Sequence, residues 1–178
     1  MLNFFIELHA DKACFVNKRI FQTLSDEFHQ NAFGCIRKEG SKLRTYAMFK
    51  KVIGIEKYFS EIKNRKVRVT LTKFRLSNHN LMIETGRHKK IQKEMRFCPL
   101  CHTGIEDEVH FLFYCPVYER VRMGYLNSIL LGKPNFQLYT SSVEIEYIML
   151  NLNKNTSKFI SDCFELRSFL INTPKRCE

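Results

Sequence analysis

Between positions 98 and 115 the chain reads CPLCHTGIEDEVHFLFYC, and metal-coordinating residue types are concentrated there. Two residues separate Cys98 from Cys101, eight more precede His110, and a further four precede Cys115. Thiolate sulfur and imidazole nitrogen suit a borderline-soft ion such as zinc, which takes four tetrahedral ligands. Three cysteines and one histidine close that shell without an open position, so the pattern predicts a structural zinc site and not a catalytic one. Pro99 stiffens the turn between the first two thiols by fixing its own φ.

The same residues admit other readings. Cys98-x-x-Cys101-His102 also fits covalent haem attachment, and Cys-Pro-x-Cys fits a redox dithiol. Haem attachment goes with export, whereas the amino-terminal apolar residues Leu2, Phe4, Phe5 and Ile6 are broken at once by Glu7 and Asp11, so no leader is expected. A redox dithiol needs a βαβ neighbourhood, and the flanking sequence has no strand-like alternation. Four buried residues that bind nothing are the plainest alternative, since cysteine is a good small hydrophobe. His102 could stand in for His110, although its place beside Cys101 makes the geometry harder.

Helices must position these ligands. Thr103 and Glu106 have the spacing of a capping box, predicting a helix from near Gly104 through Val109, Phe111, Leu112, Phe113 and Tyr114 that carries His110 inward. Cys115 then precedes Pro116, where one helix ends and the next starts with proline in its first turn. The rest of the chain repeats apolar residues every three to four positions. Phe4, Phe5, Leu8, Phe15, Ile20, Phe21, Leu24 and Phe28 form one or two helices with a largely core face. Ser41 caps a helix bearing Leu43, Tyr46 and Phe49, and Ile55, Tyr58, Phe59 and Ile62 form a further stripe. Ser77 to Asn80 form a turn or cap, Gly86 to Lys90 a flexible basic loop, and Gly132-Lys133-Pro134 a helix stop. Helices opening at Ser141 and Thr156 follow, and the tail from Pro174 frays. The fold class is therefore all-α. One helical domain spans 1–178, with amino-terminal helices in 1–36, a basic segment in 37–97, the zinc knuckle at a helix–helix corner and its following helix in 98–132, and carboxy-terminal helices in 133–178.

Composition narrows the function classes. With 44% hydrophobic residues and 16 Phe among 178 residues, a sizeable core is available. No apolar run approaches the ~20 residues of a membrane span. Seven cysteines form no even framework, so Cys14, Cys35, Cys163 and Cys177 are expected as free thiols in a reducing, intracellular setting.

Charge is more specific. The formal charge is +11, yet residues 37–96 alone hold 18 Lys and Arg against 5 Asp and Glu, or +13, which leaves −2 on the rest. Within 65–77, Val67, Leu71 and Phe74 share a helical face, Arg68 and Arg75 lie on one flank, and Lys66 and Lys73 on the other. No glutamate at i, i+4 relieves the repulsion, so a polyanion is the expected partner. Lys63, Arg65, Lys66, Arg68, Lys73, Arg75, Arg87, His88, Lys89 and Lys90 are the candidate nucleic-acid contacts. A zinc ion with three thiolates and one neutral imidazole carries a charge of about −1, so part of this basic excess also favours the metal site. The Asn78-His79-Asn80 triplet lacks the flanking hairpin of a nuclease motif.

Six stretches together resemble the carboxy-terminal region of reverse transcriptases from non-LTR (LINE-like) retrotransposons. They are Ser-Lys-Leu-Arg-Thr-Tyr at 41–46, Leu-Thr-Lys-Phe-Arg-Leu-Ser-x-His at 71–79, Glu-Thr-Gly-Arg-His at 84–88, Cys98-x-x-Cys101, Ile-Glu-Asp-Glu-x-His at 105–110, and Cys115-Pro116. The resemblance covers about 80 residues and is more specific than the zinc motif alone. It implies Cys98, Cys101, His110 and Cys115 as zinc ligands in a region thought to help grip template RNA and target DNA. The chain departs from that family in having no Asp-Asp pair of a polymerase palm, no RNase H carboxylate cluster and no Pro-Asp nuclease motif after the knuckle. Polymerase activity is therefore not implied, and the chain looks like a remnant or stand-alone piece of such a reading frame. The expectation is a zinc-stabilised module that binds RNA or DNA backbone, with a retroelement ribonucleoprotein as its candidate assembly, without membrane association or an enzymatic reaction of its own. The alternative is a protein-interaction module whose basic face meets an acidic partner or a polymerase acting in trans.

Overall fold

Apolar residues at helical spacing do produce helices, and among the described residues there are no strands, only an isolated antiparallel bridge between Phe97 and Ile105. The computed structural model describes residues 2–38, 42–52, 54–126, 141–151 and 153–173, with side chains from 18 onward except at 141 and 142. The helices are α1 (Leu2–Arg37), α2 (Arg44–Phe49), α3 (Tyr58–Glu61), α4 (Arg65–Arg75), α5 (Met82–His88), α6 (Glu119–Tyr125), α7 (Ser141–Asn151) and α8 (Asn153–Asn172). No helix among the described residues is long and apolar enough to cross a membrane. The Ser41 cap, the stop at Gly132-Lys133-Pro134 and the tail from Pro174, including Cys177, lie outside the described residues, as does the side chain of Cys14. Cys35 and Cys163 form no disulfide.

Contacts divide the chain into two compact units, Met1–Ser41 and Lys42–Glu178, where one domain was expected. The first is a single uninterrupted helix. Of the apolar residues that periodicity placed on a core face, Ile20, Phe21, Leu24 and Phe28 are each more than half exposed, and the side chains of Phe4, Phe5, Leu8 and Phe15 lie outside the described residues. Helical spacing creates an apolar stripe but does not supply a partner for it.

In the second unit α4 and α6 both pack on α8, and α2 packs on α7. Leu71 and Phe74 from α4 meet Phe159, Ile160 and Cys163 from α8 in a core that is closed to solvent. Phe111 is its aromatic centre, with ring centroids 4.9 Å from both Tyr118 and Phe164 and 5.5 Å from Phe74. Asn64 caps α4 by accepting a hydrogen bond from the Val67 amide, 3.2 Å away. At the other end Ser77 takes a positive φ of 50°. Its amide donates to Phe74 and that of Asn78 to Lys73, the paired bonds of a Schellman motif, so the chain turns at once into 78–80.

Gly86 corrects one expectation. It lies inside α5 and not in a loop, because Arg96 folds across it: a Cβ there would stand 2.7 Å from the Arg96 side chain. Arg96 in turn donates to the carbonyls of Ile83 and Ile91. The chain leaves α5 only at Lys90, through a second positive φ of 57°.

Arg75 is the second correction. Expected at a nucleic-acid surface, it is 2% exposed. Its guanidinium lies 4.3 Å from the Phe49 ring centroid and 4.9 Å from that of Tyr58, donating to the Met149 carbonyl at 2.8 Å and to Glu56 at 2.8 Å. Arginine suits this role because its planar fork combines ring stacking with directed donors. Glu56 also takes Lys50 as an ion partner and a 3.1 Å bond from the Tyr46 hydroxyl. Burial alone would raise the Glu56 pKa, but Lys50 and Arg75 outweigh it and hold it below its ordinary 4.5.

Two outcomes follow. Arg75→Ala leaves Glu56 short of a partner inside the protein and costs about 3 kcal/mol in denaturant unfolding, whereas Lys73→Ala on the same helix leaves the midpoint unchanged. Because the native pKa of Glu56 is depressed, its contribution is fully present above about pH 4.5 and is lost as pH falls below that value. Glu56→Gln should flatten that acid limb in a pH series of thermal melts.

Candidate metal centre

A hairpin supplies the first two candidate ligands. The Phe97–Ile105 bridge is flanked by hydrogen bonds from the Cys98 amide to Gly104 and from the Glu106 amide to Arg96, at 2.8 and 2.9 Å. Inside it the His102 amide donates to the Cys98 carbonyl, and His102 takes a positive φ of 58°. The turn after Pro99 thereby directs Cys98 and Cys101 to one side.

The other two come from an unusual helical turn. The helix starts at Glu108, later than the capping-box reading placed it. Its cap is Asp107, whose carboxylate accepts from the His110 amide at 2.8 Å, while Thr103 stays with the hairpin, its hydroxyl 3.1 Å from Cys101 Sγ. Residues His110–Tyr114 form a π-turn, closed by a 2.8 Å bond from the Cys115 amide to the His110 carbonyl. An α-helix stacks residue i+4 over residue i, whereas the wider π-turn brings i+5 back to that side. A spacing of five between His110 and Cys115 therefore meets at one point.

One ligand atom from each of Cys98, Cys101, His110 and Cys115 lies within 4.8 Å of the others, a group that could hold a metal ion. His110 Nε2 stands 3.2 Å from Cys101 Sγ. Gly104 stands beside the ring, where a Cβ would meet His110 Nδ1 in ordinary contact at 3.4 Å. His102 is exposed and outside the group. Cys98 and Cys115 have no exposed surface. Hydrogen bonding to Cys115, together with burial, pushes the Cys98 thiol up to about 12, while the same bond lowers Cys115. His110 is raised by its bond to Cys98.

Residues without a coordination signature lock this corner to the core. Glu106, expected in a capping box, is completely buried and accepts two bonds from Arg167, at 2.8 and 2.9 Å, plus one from the Met82 amide at 2.7 Å. Bidentate, charge-assisted pairing of this kind offsets the cost of taking both ions out of water. Arg122 of α6 donates to the carbonyls of Leu112 and Cys115 at 2.7 and 3.0 Å, satisfying groups that the end of the π-turn leaves open. Glu108 accepts from Arg44 at 2.5 Å and is 2.9 Å from His79 Nε2. Burial would raise Glu108, yet His79 and Arg44 hold it at about 2. For Arg167 a signal was available, since it falls four residues after Cys163 on the buried side of α8. For Glu106 there was none.

The candidate nucleic-acid contacts separate by exposure. Lys63, Arg65, Lys66 and Lys73 are exposed on or just before α4, and His88, Lys89 and Lys90 at the end of α5. Lys66 makes a surface pair with Glu165, Arg87 pairs with Glu84, and the half-buried Arg68 donates to the Ile62 carbonyl. Arg75 is internal. No protein-family model, curated protein or solved structure matches this chain.

The two histidines give a direct check on the ligand set. His110→Ala should abolish stoichiometric metal binding and lower the melting temperature by at least about 10 °C, as expected where metal binding is coupled to folding. His102→Ala should keep both, read by elemental analysis and calorimetry.

Proposed function

We propose that the chain is a zinc-stabilised module that binds nucleic acid, derived from the carboxy-terminal region of a non-LTR retroelement reverse transcriptase, and that it works by binding and not by catalysis. Zinc is the metal that a closed shell of three thiolates and one imidazole favours, by ligand softness and tetrahedral geometry. The observation that carries the binding reading is uncompensated charge: Lys63, Arg65, Lys73, Lys89 and Lys90 are exposed and have no acidic partner among the described residues. Cations held apart from carboxylates on a stable scaffold gain by replacing the counterions of a phosphate backbone. Such contacts give affinity and register, with little sequence preference. The retroelement origin rests on the resemblance of six stretches, which include the four grouped ligands.

A second reading, a protein-interaction module, is favoured by the exposed Ile20, Phe21, Leu24 and Phe28 of α1. Competition distinguishes the two, since RNA at physiological salt displaces a partner held by the basic face but not one held by α1.

Fluorescence anisotropy with a labelled single-stranded oligonucleotide across a salt series tests the first reading. Affinity should fall steeply with salt, and reversing Lys63, Arg65 and Lys73 to glutamate should reduce the log–log slope by about 2. A flat salt response overturns it.

A further inference from the structure

An open cleft of about 470 Å³ lies beside α3, with Tyr46, Ile55, Glu56, Tyr58, Phe59 and Thr72 in its lining. Its carboxylate, Glu56, is already taken up by Lys50, Arg75 and the Tyr46 hydroxyl.

Phe59 is the unusual member. Aromatic side chains are mostly withdrawn from water, as its neighbour Tyr58 is at 3% exposed, yet Phe59 is 49% exposed. The two rings are stacked, with centroids 4.6 Å apart and planes 24° from parallel. Tyr58 is itself held in place. Its hydroxyl is 3.0 Å from Thr72 Oγ1, and its ring centroid is 4.9 Å from the Arg75 guanidinium, which in turn lies 4.3 Å from that of Phe49. Contacts between flat groups thus lead from the buried Phe49 through Arg75 and Tyr58 and end on a ring that meets solvent. A further flat, apolar partner on that ring removes its surface from water without having to order it first.

Charge identifies the partner. Lys57 directly precedes α3, and Lys63 and Arg65 follow it. All three are exposed and have no acidic partner among the described residues, while Glu61 of α3 accepts from Asn153 at 2.8 Å. An exposed ring between cations matches single-stranded nucleic acid, whose unpaired bases each offer a π-face beside a phosphate. We propose that Phe59 is a stacking platform for an unpaired base, with Lys57, Lys63 and Arg65 holding the phosphates around it, so that the module prefers single strands to duplex. The inference rests on the nucleic-acid reading above and deepens it, because phosphate contacts alone give no preference for unpaired bases.

The chain contains no tryptophan, so Phe59→Trp adds a single emission reporter that is itself a stacking ring. The test uses the full, metal-loaded chain with three probes of equal length: oligothymidine, an abasic strand that keeps the phosphates, and a duplex. Oligothymidine should quench Phe59→Trp, and the abasic strand should not. Phe169→Trp, towards the other end of α8 from Asn153, should keep its emission with all three. In anisotropy, Phe59→Ala should weaken oligothymidine binding about tenfold, the worth of one stacked base. Its affinity for the abasic strand should stay at the wild-type value, which also reports that the variant is folded. Equal affinity of the wild-type chain for oligothymidine and the abasic strand overturns the platform and leaves the basic-surface reading standing, whatever the variants do. Unchanged emission of Phe59→Trp while anisotropy reports bound oligothymidine, or equal quenching of both tryptophan variants, also overturns it. Failure of the wild-type chain to bind any probe overturns both readings.

Discussion

Two cysteines with no exposed surface, a third that is partly buried and an imidazole converge within 4.8 Å. This constraint organises the second unit. Without an ion, burial and a shared hydrogen bond keep Cys98 protonated far above neutrality. A metal reverses that preference, because a coordinating thiol is deprotonated outright. The free energy of coordination then appears as stability of the corner itself. Phe111 directly follows His110 and is the aromatic centre of the core, so fixing one residue aligns the other. The ligand group and the hydrophobic core are neighbours in sequence as well as in space.

Around that corner, charged side chains withdrawn from water do what backbone regularity cannot. Glu106 connects the hairpin to α5 and α8, Arg122 seals the end of the π-turn, and Arg75 links α4 to the end of α7. Each is charged, largely withdrawn from water and satisfied by directed donors or acceptors, the condition under which buried charge is tolerated. Part of the basic excess of 37–96 is likewise engaged inside the protein, in Arg44, Lys50, Arg68, Arg75 and Arg96. Most of its cations stay exposed, among them those carried on α4 and at the end of α5.

The periodicity of apolar residues was sufficient to read the helical class and most of the helices, and ligand chemistry was sufficient to group Cys98, Cys101, His110 and Cys115. The misreadings share a physical cause. Glu106 satisfied a local capping pattern, yet Arg167, 61 positions away, gave it a buried partner. Asp107 took the cap instead, and the helix began later. Arg75 looked exposed because charge usually is, but two aromatic rings, Glu56 and a carbonyl surrounded it. On α1 an apolar stripe was read as a core face, yet Ile20, Phe21, Leu24 and Phe28 are exposed. Local patterns carry local structure, while burial depends on what the rest of the chain brings, and the spacing of five between His110 and Cys115 was the one local clue to the π-turn.

X-ray absorption at the zinc edge on the purified chain tests the central claim most directly. One ion per chain with three sulfurs at about 2.3 Å and one nitrogen at about 2.0 Å is the result expected of this corner. A shell of light atoms only, a two-sulfur shell, or a chain that retains no metal after dialysis would contradict it.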